Sequence, residues 1–287
     1  SLWQSTVWRF ESNGWPRERL HAVDLPYPIA RDEDGKAQPG RTSTAEHMAY
    51  LKSEVDKVLQ ATGARQVVLV GNSRGGNAVR SYAMTGGAAK VSHAILGGTP
   101  NHGVRFDAAS NPANEFNGAG PFLQALNNQG APGVEVTPGP RWMTLRSDNN
   151  DKFAQPEGTG IGAPGKATGV TFDGPALRGA LNVVLPGVDH RETSFSPQAF
   201  AAAFQFITGR APATTGFQPE SRVLPICQLS GQVSGLGLDN DPARGAFVNN
   251  LPLAGATVEV FATDPASGER RGPARWPGPG APPACWC

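Results

Sequence analysis

The sequence predicts an α/β fold: a doubly wound, mostly parallel sheet with flanking helices, followed by a small all-β region. Three observations predict it. Apolar runs of strand length alternate with helix-period stripes as far as Thr208. The run Val67-Val68-Leu69-Val70 is continuous rather than alternating, as suits a parallel strand buried on both faces. Beyond Arg210 the helical stripes give way to apolar–polar alternation interrupted by Gly and Pro.

Residues 2–12 read as a short amphipathic helix ended by Asn13-Gly14. Residues 20–25 are a brief apolar run stopped by Pro26, which predicts a buried strand. Residues 28–41 are polar loop. A strong helix follows at 42–62. Ser43 or Thr42 caps it, Glu46 completes a capping box, and Met48, Leu51, Val55, Val58 and Leu59 share one face. Gly63 ends it. Residues 66–71 are a strand, and a helix runs on from Ser73 through Ala83 to Gly86-Gly87. Further strands are expected at 91–97, 142–146 and 181–185. Ser196-Pro197 opens a last helix that Gly209 stops after Thr208.

Two long segments, 104–141 and 152–177, are rich in Gly, Pro, Asn and Thr and predict functional loops or lids. Residues 121–127 suggest a short helix inside the first. Ala211-Pro212-Ala213-Thr214-Thr215-Gly216 reads as a linker. The expected organisation is a main domain at 1–210, a linker at 211–222 and a small β-sandwich-like domain at 223–287. Strands at 229–233 and 256–261 would build that last domain. Its tail beyond Arg271 carries no strand pattern, so it reads as incomplete.

The net charge is +1 and basic residues are scattered, which excludes the patch that phosphate binding demands, so nucleic acid is not an expected partner. No apolar run approaches the length of a membrane span, and no signal peptide is visible. Cys227, Cys285 and Cys287 fit no zinc spacing; Cys227 can pair with one of the other two, or all three stay free. Asp239-Asn240-Asp241 and the Asp148–Asp151 stretch lack the ligand spacing of a calcium loop, so no metal is expected.

The chemistry centres on Gly71-Asn72-Ser73-Arg74-Gly75-Gly76, a G-x-S-x-G motif placed directly after a strand and before a helix. Such a turn exposes a strained nucleophilic serine, and flanking glycines avoid clashes with the strand and helix. The helix N-terminus aims the backbone N–H of Arg74 at a developing oxyanion. A serine hydroxyl needs a base, which in this order of elements follows an acid along the chain. His190 sits between the last strand and the last helix, where that base belongs. His102 precedes any suitable acid and reads as structural, as do His21, His47 and His93. After the strand at 142–146, Asp151 and Asp148 both qualify as the acid. Asp151 is preferred, with Asp148 the alternative, because Asp148 suits a turn at the strand end. Asp189 is too close to His190 along the chain.

The stretch 67–76, Leu96-Gly97-Gly98-Thr99-Pro100-Asn101-His102-Gly103, Phe122-Leu123-Gln124-Ala125-Leu126-Asn127 and Gly187-Val188-Asp189-His190 together resemble bacterial lipases and esterases of the α/β-hydrolase fold. The resemblance spans about residues 1–210. It implies carboxylic-ester hydrolysis without a cofactor, usually outside the cytoplasm, so a secreted or periplasmic protein is expected. It also implies the triad Ser73, Asp151 and His190. Asn72 stands where many relatives carry His. The family's first strands and its His-Gly oxyanion loop would lie upstream of Leu2, so the chain reads as N-terminally truncated. The region 229–261, through Pro252-Leu253-Ala254-Gly255-Ala256-Thr257-Val258, resembles transthyretin-like or carboxypeptidase-regulatory-like β-sandwiches.

The expected partner is thus an ester: a small molecule, a lipid or a polyester. An extracellular polyhydroxyalkanoate-type depolymerase is one alternative, because the 104–141 segment is not strongly apolar and an accessory domain suits a polymer. A catalytically impaired hydrolase fragment acting as a binding protein is the other.

Overall fold

In the computed structural model the described residues are 3–109, 111–148, 150–151, 153 and 173–218, with the backbone of 262–263 and 270–271. The chain divides into two units, Ser1–Gln218 and Pro219–Cys287. In the second unit a short antiparallel pair, residues 262–263 with 270–271, is described. The strands expected at 229–233 and 256–261, the three cysteines and Asp239-Asn240-Asp241 lie outside the described residues.

Unit 1 is α/β. Four strands, β1 (Val67–Asn72), β2 (Val91–Gly97), β3 (Arg141–Ser147) and β4 (Leu181–Leu185), lie side by side in sequence order, and every neighbouring pair is parallel. The period-two alternation of strand side chains sorts the core into two layers. Val67 and Leu69 of β1 and Ala94 and Leu96 of β2 face one way, against Val55 of α2 (Thr44–Thr62) and Val79 and Tyr82 of α3 (Arg74–Tyr82). Val68, Val70 and Ile95 face the other, with Met143, Leu145 and Leu185, against Ala199, Ala203 and Phe206 of α6 (Pro197–Thr208). Helices therefore cover both faces, as parallel strands require. The four apolar residues of β1 are only half-buried, because β1 pairs with β2 on one side alone among the described residues.

Local signals explain the helix ends. Ser43 Oγ accepts from Glu46 N while Glu46 Oε2 accepts from Ser43 N, so the predicted capping box closes α2 at its start. Gly63 ends it at φ 65°, a left-handed residue that costs glycine nothing. Ser196 caps α6 with Pro197 in its first turn, and Gly209 stops it at φ 76°. α1 (Gln4–Ser12) packs its Phe10 on Phe200 and Phe204 of α6. Residues 213–218 are strapped to α1. Asn13 bonds Ala213 N and Thr214 O, Arg9 Nε donates to Thr215 O, and Trp8 meets Phe217 edge-on.

The strand expected at 20–25 does not form. This apolar run stays extended and pairs with no strand among the described residues. Leu20 packs against the Phe10, Phe200 and Phe204 cluster, and Asp24 O accepts from Tyr50 Oη of α2. His21 therefore lies exposed on an irregular segment rather than in a strand.

The 104–141 segment is folded back rather than open. Val104 N donates to Phe116 O and Gly118 N to Arg105 O, closing a loop that leads into α4 (Pro121–Leu126). A buried cation anchors the chain on either side of α4. Arg80 of α3, 2% exposed, donates to Asn101 O, Leu126 O, Glu135 O and the side chains of Asn101 and Asn127. Of the 152–177 segment, only Phe153 and residues from 173 onward are described. Among the described residues no helix is long and apolar enough to cross a membrane.

Candidate active site

Ser73 stands between β1 and α3. Its φ of 53° and ψ of −123° make it one of two non-glycine residues with positive φ among those described. A side chain in that region is strained by about 1–3 kcal/mol, which the surrounding packing must offset. The turn is held from below by Ser73 N donating to Gly97 O at 2.7 Å. Close approach of β1 to α3 explains Gly71: a Cβ there would lie 2.7 Å from the backbone of Gly75 and Gly76. The expectation for the second motif glycine needs correction. A Cβ on Gly75 would meet nothing within 4 Å, whereas one on Gly76 would run into the Thr99 side chain. Gly76 lets α3 sit on the loop after β2; Gly75 points into open space.

Arg74 is the first residue of α3, so its N–H has no partner inside the helix and faces outward with the helix dipole. Its side chain does something the motif gives no hint of. The guanidinium is buried and forms a two-pronged pair with Glu115, Nε to Oε1 at 2.7 Å and Nη2 to Oε2 at 2.8 Å. It also donates to Pro28 O, Thr42 O and Thr42 Oγ1. Burial pushes the Glu115 carboxyl above its ordinary pKa although Arg74 pulls the other way. The residue after the serine is thereby tied to the 28–42 loop and the 104–118 loop.

His190 lies in the turn between β4 and α5 (Glu192–Phe195), a one-turn helix too short for a periodic signal in the sequence. Its Nδ1 is 2.6 Å from Asp151 Oδ2, and its ring and that of Phe153 meet edge to face, with centroids 4.7 Å apart. The Asp151 side chain is 7% exposed and that of His190 15%. Asp151 Oδ1 accepts from Phe153 N, which holds the carboxylate in place. Asp148, the other candidate acid, is turned elsewhere: its Oδ2 accepts from Gly187 N at 3.0 Å, bracing the turn that leads to His190. Asp189 caps α5 through Arg191 N and Glu192 N. His102 Nε2 lies 3.1 Å from Oε1 of the buried Glu135.

The His190 turn sits directly on the end of β2. A Cβ on Gly98, whose φ is 55°, would lie 3.0 Å from His190 O and 3.2 Å from its Nδ1. A Cβ on Gly97 would collide with Ser194 Oγ. The adjacent Gly97 and Gly98 permit this close packing. Asn72 Nδ2 then reaches His190 O at 3.2 Å and Ser194 Oγ at 2.9 Å, so the residue before Ser73 touches the turn bearing His190. Ser73 Oγ makes no hydrogen bond among the described residues; such contacts commonly tighten only with substrate bound. Among the described residues no three His, Cys, Asp or Glu side chains group as metal ligands.

No protein-family model matches the chain. It is similar to a non-heme haloperoxidase of Rhodococcus erythropolis, 32% identical over 90 residues, which are 31% of this chain and 33% of that protein. The chain thus spans about a third of the length of that relative. Among solved structures it is similar to the Bacillus licheniformis lipase BlEst2. The mature form shares 19% identity at TM-score 0.42, over 57% of this chain and 74% of that one. The propeptide form also shares 19% identity, at TM-score 0.44, over 68% and 46%. The lin2722 gene product of Listeria innocua shares 16% identity at TM-score 0.39, over 63% of this chain and 73% of that one.

Proposed function

We propose that the chain is a serine carboxylic-ester hydrolase of the α/β-hydrolase type, acting through Ser73, His190 and Asp151. One observation carries this reading: His190 Nδ1 and Asp151 Oδ2 stand 2.6 Å apart, and the His190 turn is bonded by Asn72, the residue next to the strained serine of a strand-to-helix turn. The bond to Asp151 assigns the proton to Nδ1 and leaves Nε2 as the basic nitrogen. In the reaction, Nε2 takes the Ser73 Oγ proton as Oγ attacks the ester carbonyl. The Arg74 N–H, at the positive end of α3, stabilises the oxyanion. Imidazolium returns the proton to the departing alkoxide, leaving an acyl-enzyme. Water, deprotonated by the same nitrogen, then releases the acid. Asp151 fixes the tautomer and offsets the charge on the imidazolium.

Fluorophosphonate labelling followed by intact mass measurement tests the reading. One adduct is expected on Ser73 and none on Ser73→Ala. Hydrolysis of p-nitrophenyl butyrate should fall by about 10³-fold or more in that variant. Full activity in Ser73→Ala, or a folded wild type that takes no label, overturns the proposal. Rates on soluble esters, triglyceride emulsion and polyester film would then assign the substrate class.

A further inference from the structure

Asn72 is the last residue of β1, and its side chain meets three separate parts of the site. Nδ2 lies 2.9 Å from Ser194 Oγ, 3.2 Å from His190 O and 3.3 Å from Gly97 O. An amide nitrogen has two hydrogens for these three acceptors, so it bridges them as a shared donor. The His190 carbonyl also accepts from Thr193 Oγ1 at 2.7 Å. Two side chains thus converge on one backbone oxygen, and that oxygen fixes the peptide plane from which the His190 side chain departs. The ring is held at a second point by Asp151 and at a third by Phe153.

We infer that Asn72 is a positioning residue: its amide, with Thr193, clamps the His190 carbonyl and so sets the place of the imidazole relative to the adjoining Ser73. The inference rests on the hydrolase reading for its kinetic consequence but not for its geometry. Asn72 adjoins Ser73 in the chain, so the clamp measures the serine and the histidine against one side chain. A displacement of about 1 Å between nucleophile and base costs up to roughly 10²-fold in rate.

The test combines kinetics with proton NMR of the His190 Nδ1–H, whose 2.6 Å bond to Asp151 is expected to shift it far downfield. Asn72→Ala is expected to lower kcat by about 10²-fold with KM near wild type, and to broaden or remove that resonance. Thr193→Val, which keeps shape, should lower kcat less. The double variant should be less impaired than the product of the two effects, because both donors serve one carbonyl. Asn72→Asp places a carboxylate beside the turn and should move the acidic limb of the kcat/KM profile upward, which lost packing alone would not do. Wild-type kcat and an intact resonance in Asn72→Ala overturn the inference, as does a loss confined to melting temperature. If Asn72→Ala does not fold, Thr193→Val decides through the same two readouts. A wild type that takes no fluorophosphonate label, with the resonance still lost in Asn72→Ala, would remove the hydrolase reading and leave the clamp standing.

Discussion

Two adjacent glycines, Gly75 and Gly76, should respond oppositely to the same methyl group. In Gly76→Ala the new Cβ would collide with Thr99 Oγ1 and lie 2.8 Å from Thr99 Cβ and Cγ2. Rotating Thr99 puts its hydrogen into only one of the two close positions and leaves Cβ where it is, so the start of α3 or the loop after β2 must move. Overpacking of this kind costs about 1–3 kcal/mol. In Gly75→Ala the methyl meets nothing within 4 Å, and Gly75 is not among the residues with positive φ. Removing glycine's freedom in the unfolded chain should then stabilise by about 0.4–1 kcal/mol. Urea unfolding followed by tryptophan fluorescence measures both, and ester hydrolysis shows whether the shift reaches Ser73. Thr99→Ala should restore part of the stability lost in Gly76→Ala, since it removes two of the three close atoms. A Gly76→Ala protein as stable as wild type, or more stable than Gly75→Ala, would refute the reasoning.

The geometry sets three other outcomes. Asp151→Asn should lower kcat by about 10³–10⁴-fold by allowing the wrong His190 tautomer, while Asp148→Asn, which loosens the Gly187 turn, should cost less than about tenfold; steady-state kinetics on one ester compares them. Arg80→Met leaves the carbonyls of Asn101, Leu126 and Glu135 without their buried donor and should lower the unfolding free energy by about 3–5 kcal/mol in urea titration. His47 is held down to a pKa of about 3 by burial, with Arg74 adding repulsion. Its folded pKa is depressed, so the unfolded chain takes the proton first, and stability is lost as pH falls from the ordinary value near 6.5 toward 3. His47→Gln should flatten the fall of urea stability across that window by at most about 1.4 kcal/mol per pH unit.

Local signals were readable because one stretch of chain determines them. The capping box of Ser43 and Glu46, the Ser196-Pro197 start and the left-handed glycines at 63 and 209 form as their sequence implies. The same holds for β1 and the turn at Ser73, and chain order brought attention to His190 and narrowed the acid to Asp151 or Asp148. Partners far apart in sequence were not readable. Nothing near Arg74 announces Glu115, 41 residues away, and nothing near Asn72 announces Ser194, 122 residues away. The 20–25 run shows the converse failure. Apolar content and a following proline suit a strand, but strand formation needs a neighbour to pair with, and Leu20 packs against the Phe10, Phe200 and Phe204 cluster instead. Gly75 and Gly76 were indistinguishable as letters; only the place of Thr99 separates them.

The strapping of α1 to the far end of its unit also has a consequence in time. Arg9 of this helix finds Phe195 only 186 residues later and Thr215 only 206 residues later. Its Phe10 waits for Phe200 and Phe204. At a synthesis rate of about 5–20 residues per second, those partners emerge roughly 10–40 s after the helix does. A growing chain therefore carries the aromatic side of α1 in water while the sheet and its other helices are made. Slower translation lengthens that interval, so the yield of folded protein should depend on elongation rate and on whatever shelters α1 as it emerges.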